Sequence, residues 1–252
     1  MFKIIIPNFN NEEWLDKCLS SIMNQTYKDY EVIVIDDCST DNSLEIIRKY
    51  PVKLIVMDHK VYNGGARNVG IRLESDKPYT MFLDSDDWLY SNDVLQKIAN
   101  RLKENPVDCL TLQYNCIMED NTELVYTSDR NNLHDLVWSE NVACWTKVIK
   151  TELVQEFPEG TLMEDAVQHI NQCNYIKTMD TTKFTSIAYN RINNKALTSS
   201  NGRKSLKWQC SIFRLVADLS ELWCENEECE ERRLRDLKTV KDQIKGGEFV
   251  PW

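Results

Sequence analysis

Residues 3–6 form a short β-branched run followed by Pro7, the pattern of a buried strand that ends in a loop. Asn10-Asn11-Glu12-Glu13 then offers a helix cap with acid in the first turn. Trp14, Leu15, Cys18, Leu19 and Ile22 follow at helical spacing, so one apolar face is predicted. Residues 31–35 are apolar enough for a strand buried on both faces. Residues 39–41 would cap a second helix carrying Leu44, Ile46 and Ile47. A third strand is predicted over residues 52–57, a third helix from Asn63-Gly64-Gly65 through Leu73, and a fourth strand over 79–83. This alternation predicts a parallel α/β sheet with helices on both faces.

The second half is less regular. Residues 94–102 have an amphipathic helical pattern, 109–114 and 123–126 read as strands of a mixed edge, 165–173 as a helix and 185–191 as a strand. A polar stretch over 195–206 has the composition of a loop, and 206–244 are helical in period with a charge-dense end. The expected organisation is a first half over 1–90, a second half over 91–202 and a helical extension over 203–252.

Composition narrows the function classes. Of 252 residues, 42% are hydrophobic and 28% charged, an ordinary globular balance. Lys+Arg number 30 against Asp+Glu 40, a net charge of −10, which argues against duplex DNA or anionic lipid as the main partner. No apolar run approaches the roughly 18 residues of a membrane span, and the first residues do not fit a signal peptide, so a cytoplasmic location is expected, with at most peripheral membrane contact. The nine cysteines contain no C-x-x-C pair and read as reduced thiols.

In parallel sheets, ligands sit beyond the carboxyl ends of the strands. Those ends carry Pro7-Asn8-Phe9-Asn10, Asp36-Asp37 and Asp84-Ser85-Asp86-Asp87, so polar and acidic residues converge on one rim. Three carboxylates this close repel one another unless a cation such as Mg²⁺ or Mn²⁺ intervenes. Capping of the following turn by Ser85 or Asp86 is the simpler reading. Asp37 could accept a nucleobase N–H or, like Asp36, cap the next helix. The Gly64-Gly65-Ala66-Arg67-Asn68-x-x-Gly70 stretch lacks a Walker signature, yet it could present N–H groups and Arg67 to a pyrophosphate. The alternative is a tight turn with Arg67 exposed. Glu164-Asp165 suits a helix start on charge alone. Trp145 is the tryptophan expected at a site.

As a set, Ile4-Ile5-Ile6-Pro7-Asn8-Phe9-Asn10, Asn24-Gln25-Thr26-Tyr27, Val34-Ile35-Asp36-Asp37-Cys38-Ser39-Thr40-Asp41, the stretch 63–70 and Phe82-Leu83-Asp84-Ser85-Asp86-Asp87-Trp88-Leu89 resemble the family 2 glycosyltransferases of the GT-A fold. The likeness continues through Trp145-x-Lys147, Phe157-Pro158-Glu159-Gly160, Met163-Glu164-Asp165 and Tyr189-x-Arg191. It implies a Rossmann-like, mostly parallel sheet with flanking helices, and inverting transfer of one sugar from a nucleotide-sugar, with a UDP-sugar the expected donor. The acceptor would be a hydroxyl of a saccharide or lipid-linked saccharide. By motif, Pro7, Asn10 and Asp37 would hold the nucleoside, Arg67 the diphosphate, and Asp84, Asp86 and Asp87 the ribose and a divalent metal (Mn²⁺ or Mg²⁺). Arg191 would join the donor site and Asp165 would be the general base. Asn8 and Cys38 stand where the family usually has a small polar residue and a glycine, and the Q-x-x-R-W signature of processive members is absent. Other readings are a nucleotidyltransferase, a non-catalytic sugar-nucleotide-binding protein, and glycosylation of hydroxymethylated phage DNA bases. The carboxyl-terminal helices would pack on the catalytic domain or join copies of the chain.

Overall fold

The structure is a computed structural model that describes residues 1–118, 122–126, 143–159 and 164–192. The predicted loop over 195–206, the helical extension over 203–252 and its proposed contact between copies lie outside the described residues.

The first half builds four parallel strands and three helices: β1 (Phe2–Asn8), α1 (Leu15–Met23), β2 (Tyr30–Asp36), α2 (Ser43–Ile47), β3 (Lys53–Val56), α3 (Tyr62–Arg72) and β4 (Tyr79–Phe82). Their order in the sheet is β3-β2-β1-β4, with every pair parallel. The alternation of side chains along a strand divides the core between two faces. Phe2, Ile4 and Ile6 of β1, with Val32 and Val34 of β2, pack toward Leu15, Cys18, Leu19 and Ile22 of α1. Ile5, Ile33 and Ile35 point the other way, toward Ala66 of α3. Gly70 permits that close approach, since a Cβ there would lie 2.6 Å from Ile5 Cγ2. The buried Lys3 donates to the carbonyl of Leu73, at 2.6 Å, and to that of Ile71, tying down the carboxyl end of α3.

Several boundaries differ from the sequence reading, among them those of β1 and α1. Pro7 does not stop β1, which runs on to Asn8. Ile5 offers its carbonyl to Leu83 on the β4 side, and Pro7, two residues on, faces the same way. The N–H that Pro7 lacks would therefore point past Phe82, where pairing with β4 ends, and the ladder loses nothing. Helix α1 begins at Leu15 rather than within residues 10–13, because Asn10 has φ 49° and leaves the helical path.

The second half carries β5 (Trp88–Leu89), α4 (Val94–Glu104), β6 (Cys109–Ile117), β7 (Glu123–Tyr126), β8 (Lys147–Lys150), α5 (Glu164–Cys173) and β9 (Met179–Asn190). The sheet continues β4-β8-β6-β9-β5, with β7 beside β6, nine strands among the described residues. Here the pairing is mixed: β8 is antiparallel to both β4 and β6, and β9 is parallel to β6. The expected mixed edge at β6 is corrected, because this strand lies inside the sheet with partners on both sides. β5 and β8 are too short to show a periodicity and exist through pairing alone. Gln25, within one of the motifs, is buried and accepts the Leu95 N–H while donating to the Ser91 carbonyl, which anchors the start of α4. Trp145 is core rather than site. It stacks on Tyr189 at 4.9 Å and meets Tyr114 edge-on. No helix among the described residues is long and apolar enough to cross a membrane.

Candidate active site

The carboxyl ends of β1, β2 and β4 lie side by side, so the residues singled out there share one rim. At the end of β1, buried Asn8 donates to Asp36 Oδ1 at 2.8 Å and to Ser39 Oγ at 3.2 Å. Asn10 donates its N–H to Ser39 Oγ and accepts the Thr40 N–H at 2.7 Å. Asn8 and Asn10 thus hold the β1 loop against the β2 loop, and Pro7 stands just before them in β1. Ser39, read as a helix cap, instead works across this junction. Asn11 extends it to the third strand end by donating to Ser85 Oγ at 3.0 Å.

Asp37 is buried and both of its oxygens are engaged. Oδ1 accepts the Val61 N–H at 2.7 Å and Oδ2 the Tyr62 N–H at 2.9 Å, with Lys60 Nζ at 3.3 Å. It therefore caps α3, not α2 as the capping alternative had it. The Val61 and Tyr62 N–H groups at the start of α3 are spent on this carboxylate, ahead of the Gly64-Gly65 stretch expected at a pyrophosphate. The exposed Phe9 ring lies under the Lys60 ammonium on the same side.

At the end of β4, Asp84, Asp86 and Asp87 each bring a carboxylate oxygen within 4.8 Å of the others. Asp87 is fully buried. Its Oδ1 accepts the Asn190 N–H at 2.8 Å, while Oδ2 is buried with no hydrogen-bond partner. Burial, then the neighbouring Asp86 and Asp84, push the Asp87 carboxyl well above the usual carboxylate range. Asp84 is also raised, by burial first and Asp165 further, against the pull of Arg67. An orphaned buried oxygen inside a group of three hard oxygen donors fits a divalent cation such as Mg²⁺ or Mn²⁺.

Arg67 is where the structure departs most from the sequence reading. It is neither exposed in a turn nor turned toward an open phosphate site: it lies in the second turn of α3 and is 1% exposed. Nη2 donates to Asp84 Oδ1 at 2.7 Å, and Nη1 to Glu164 Oε1 at 2.6 Å and Asp165 Oδ1 at 3.0 Å. One guanidinium thus joins the acidic cluster of the first half to the start of α5 in the second. Both Glu164 and Asp165 reach it, although successive helical positions diverge by roughly 100°. The longer Glu164 side chain closes the gap. Burial pushes the Glu164 carboxyl up to about 7, with Arg67 opposing. Asp165 Oδ2 also accepts the Cys144 N–H at 3.4 Å. Arg191 stands exposed just past Asn190, its guanidinium beside the Tyr189 ring. It reaches the rim through the backbone, next to the residue that holds Asp87.

Three contributors escaped the sequence reading. Glu164 was assigned to helix-end charge alone. Asn68 exchanges two hydrogen bonds with the Phe157 backbone, at 2.9 and 2.7 Å. Asn190 acts through its backbone, which no side-chain pattern reveals. The spacing of Gly64, Arg67 and Asn68 at i, i+3 and i+4 was the available signal for a shared helix face.

Comparison with known proteins gives a family match and a shared fold. The profile of the family described as "Glycosyl transferase family 2" matches residues 3–178. An uncharacterized glycosyltransferase of Haemophilus influenzae is 31% identical over 222 residues, covering 84% of this chain and 87% of that protein. The poly(ribitol-phosphate) beta-N-acetylglucosaminyltransferase TarP of Staphylococcus aureus is 42% identical over 118 residues, 44% of this chain and 36% of TarP. The chain spans 36% or less of the length of the first three curated relatives it matches. Among solved structures, S. aureus TarS 1–349 in complex with UDP-GlcNAc superposes with a TM-score of 0.69 at 18% identity, over 99% of this chain and 93% of that one. The mixed α/β sheet is that of the GT-A fold.

Proposed function

This chain belongs to glycosyl transferase family 2, and on that premise we propose that it transfers a single sugar from a UDP-sugar to a hydroxyl of a glycan, with inversion and with a divalent cation. The observation that carries the reading is the Arg67 fork, which brings Asp165 to the cation cluster although 80 residues separate Asp84 from Glu164. Inverting transfer needs one base facing the acceptor and stabilisation of the departing diphosphate on the other side.

In this reading Asp84, Asp86 and Asp87 hold Mn²⁺ or Mg²⁺, with Asp84 also facing the ribose. When bound, the cation supplies charge that offsets the developing negative charge of the leaving diphosphate. Asp37 and Asn10 shape the nucleoside end of the rim, where Pro7 fixes the strand exit. Asp37 Oδ1 accepts only the Val61 N–H, and its second lone pair is enough to accept one base N–H. Arg191, exposed at the rim beside Asn190, adds positive charge on the solvent side of the donor. Asp165 takes the proton of the acceptor hydroxyl. TarP is named for a poly(ribitol-phosphate) acceptor and TarS is seen with UDP-GlcNAc, which supports a UDP-sugar donor and a hydroxyl-rich acceptor here. In this reading the protein acts in the cytoplasm, where it draws on a nucleotide-sugar pool.

The test is a thermal-shift panel of UDP-, GDP-, CMP- and dTDP-sugars with and without Mn²⁺, followed by transfer assays of Asp165→Asn and Glu164→Gln. The expected result is a metal-dependent rise in melting temperature for a UDP-sugar. Asp165→Asn then binds that donor like wild type and transfers at least ~100-fold more slowly. A rise with no nucleotide-sugar, or the slow phenotype in Glu164→Gln alone, contradicts the donor and base assignments respectively.

A further inference from the structure

We infer that Gly64, Arg67 and Asn68 are positioning residues: together they form a face of α3 that sets where Asp165 stands relative to the acidic cluster. The inference rests on the reading of Asp165 as the base, and it gives the glycine-rich stretch a role other than phosphate binding.

Each residue on this face meets the chain that leads into or begins α5. Gly64 has no side chain, and a Cβ in its place would lie 2.8 Å from the Pro158 carbonyl oxygen and 3.1 Å from Glu164 Cγ. Nothing larger than glycine lets that chain come so close. Asn68 clamps the Phe157 backbone from both sides, donating to its carbonyl and accepting its N–H. The Phe157 ring then packs edge-on against Phe82 at 5.3 Å and lies 5.2 Å from the Arg67 guanidinium. Arg67 completes the face by holding Glu164, Asp165 and Asp84 on its two terminal nitrogens.

The guanidinium is poorly placed to be a diphosphate ligand. Its exposure is 1%, and both terminal nitrogens already donate to carboxylates, so a phosphate could reach it only if the packing around it opened. The planar fork does what a point charge cannot: it fixes two carboxylates from opposite halves of the sheet at a set separation. A base displaced by about 1 Å can lose ~100-fold in rate, so a platform of this kind controls turnover without touching the donor.

The experiment compares Gly64→Ala, Arg67→Lys and Asp165→Asn, each checked for a wild-type-like circular dichroism spectrum. UDP affinity is measured by calorimetry with Mn²⁺, and turnover as UDP released from UDP-N-acetylglucosamine. Gly64→Ala adds one methyl and no charge, whereas Arg67→Lys keeps the charge and removes the fork. Both are expected to lower kcat at least ~10-fold, with UDP affinity and donor KM within ~3-fold of wild type. If Asp165→Asn is slow while Gly64→Ala and Arg67→Lys turn over at the wild-type kcat, the positioning role is wrong and the base assignment stands. Loss of UDP affinity in Arg67→Lys at unchanged kcat would make it a diphosphate ligand and overturn the inference. A fully active Asp165→Asn overturns the base assignment and the inference with it.

Discussion

The ends of β2 and β4 both present close-set acids on one rim, and the protein treats them in opposite ways. At the end of β2, every carboxylate oxygen has a donor: Asp36 takes the Asn8 amide and the Ser39 N–H, and Asp37 takes the Val61 and Tyr62 N–H groups. At the end of β4, Arg67 is spread over three carboxylates and Asp87 Oδ2 has no donor. Burying a carboxylate is tolerable when hydrogen bonds replace water and costly when they do not. The first site is therefore complete as folded, while the second is left short of positive charge. In the proposed function, one is a rigid wall for a nucleoside and the other a seat for a cation.

The largest effect should separate the two ends by phenotype. Asp86→Ala at the β4 end is expected to cut transfer at least ~100-fold with little loss of melting temperature, since it removes a carboxylate from a crowded acidic group. Asp37→Ala at the β2 end should cost about 2–3 kcal/mol of stability, because two α3 N–H groups lose their acceptor, and should weaken UDP binding as well. Denaturant unfolding beside transfer kinetics checks both, and the same phenotype from the two substitutions would erase the distinction.

Next in size is the response to cation. Added to metal-stripped protein at ~100 times its dissociation constant, Mn²⁺ should stabilise by about 2.7 kcal/mol, read as a rise in melting temperature. Asp37→Ala should keep that rise and Asp86→Ala should lose it.

A smaller effect follows from Glu164. Its carboxyl, pushed by burial up to about 7 from an ordinary 4.5, makes the folded state bind more protons than the unfolded one. The stability it contributes is full below about pH 4.5 and is lost as pH rises through about 7. In chelator, the melting temperature of wild type should therefore fall across that window relative to Glu164→Gln, which mimics the protonated form. Parallel curves would show that Glu164 is ionised throughout.

The smallest effect sits back at the β2 end, where the liability is backbone rather than charge. Cys38 has φ 64°, a region that suits glycine, and the family usually has glycine there. Cys38→Gly should stabilise by about 1 kcal/mol or less, measured by urea unfolding, against the loss of a weak thiol contact to the Met57 carbonyl.

The first half was legible in the sequence because its signals are local. The β-branched runs at Ile4-Ile5-Ile6 and Val32-Ile33-Val34-Ile35 each make a strand, and each strand end carries its own polar residues. Pairing decided the rest. Nothing in the sequence of Lys147–Lys150 marks a strand; it forms because β4 and β6 each offer an open edge. The acidic cluster could be read from spacing, since three carboxylates within four residues at a strand end have few places to go. The role of Arg67 could not, because its partners Glu164 and Asp165 lie 97 and 98 residues away and only the folded chain brings them together.

The most direct test of the claim that the β4 end is an unfinished cation site is UDP release from UDP-N-acetylglucosamine by protein stripped of metal and held in chelator. Release should be absent until Mn²⁺ or Mg²⁺ is returned in excess, and should then recover. Full release in chelator would show that the acidic group at the end of β4 works without a cation, and would contradict the account.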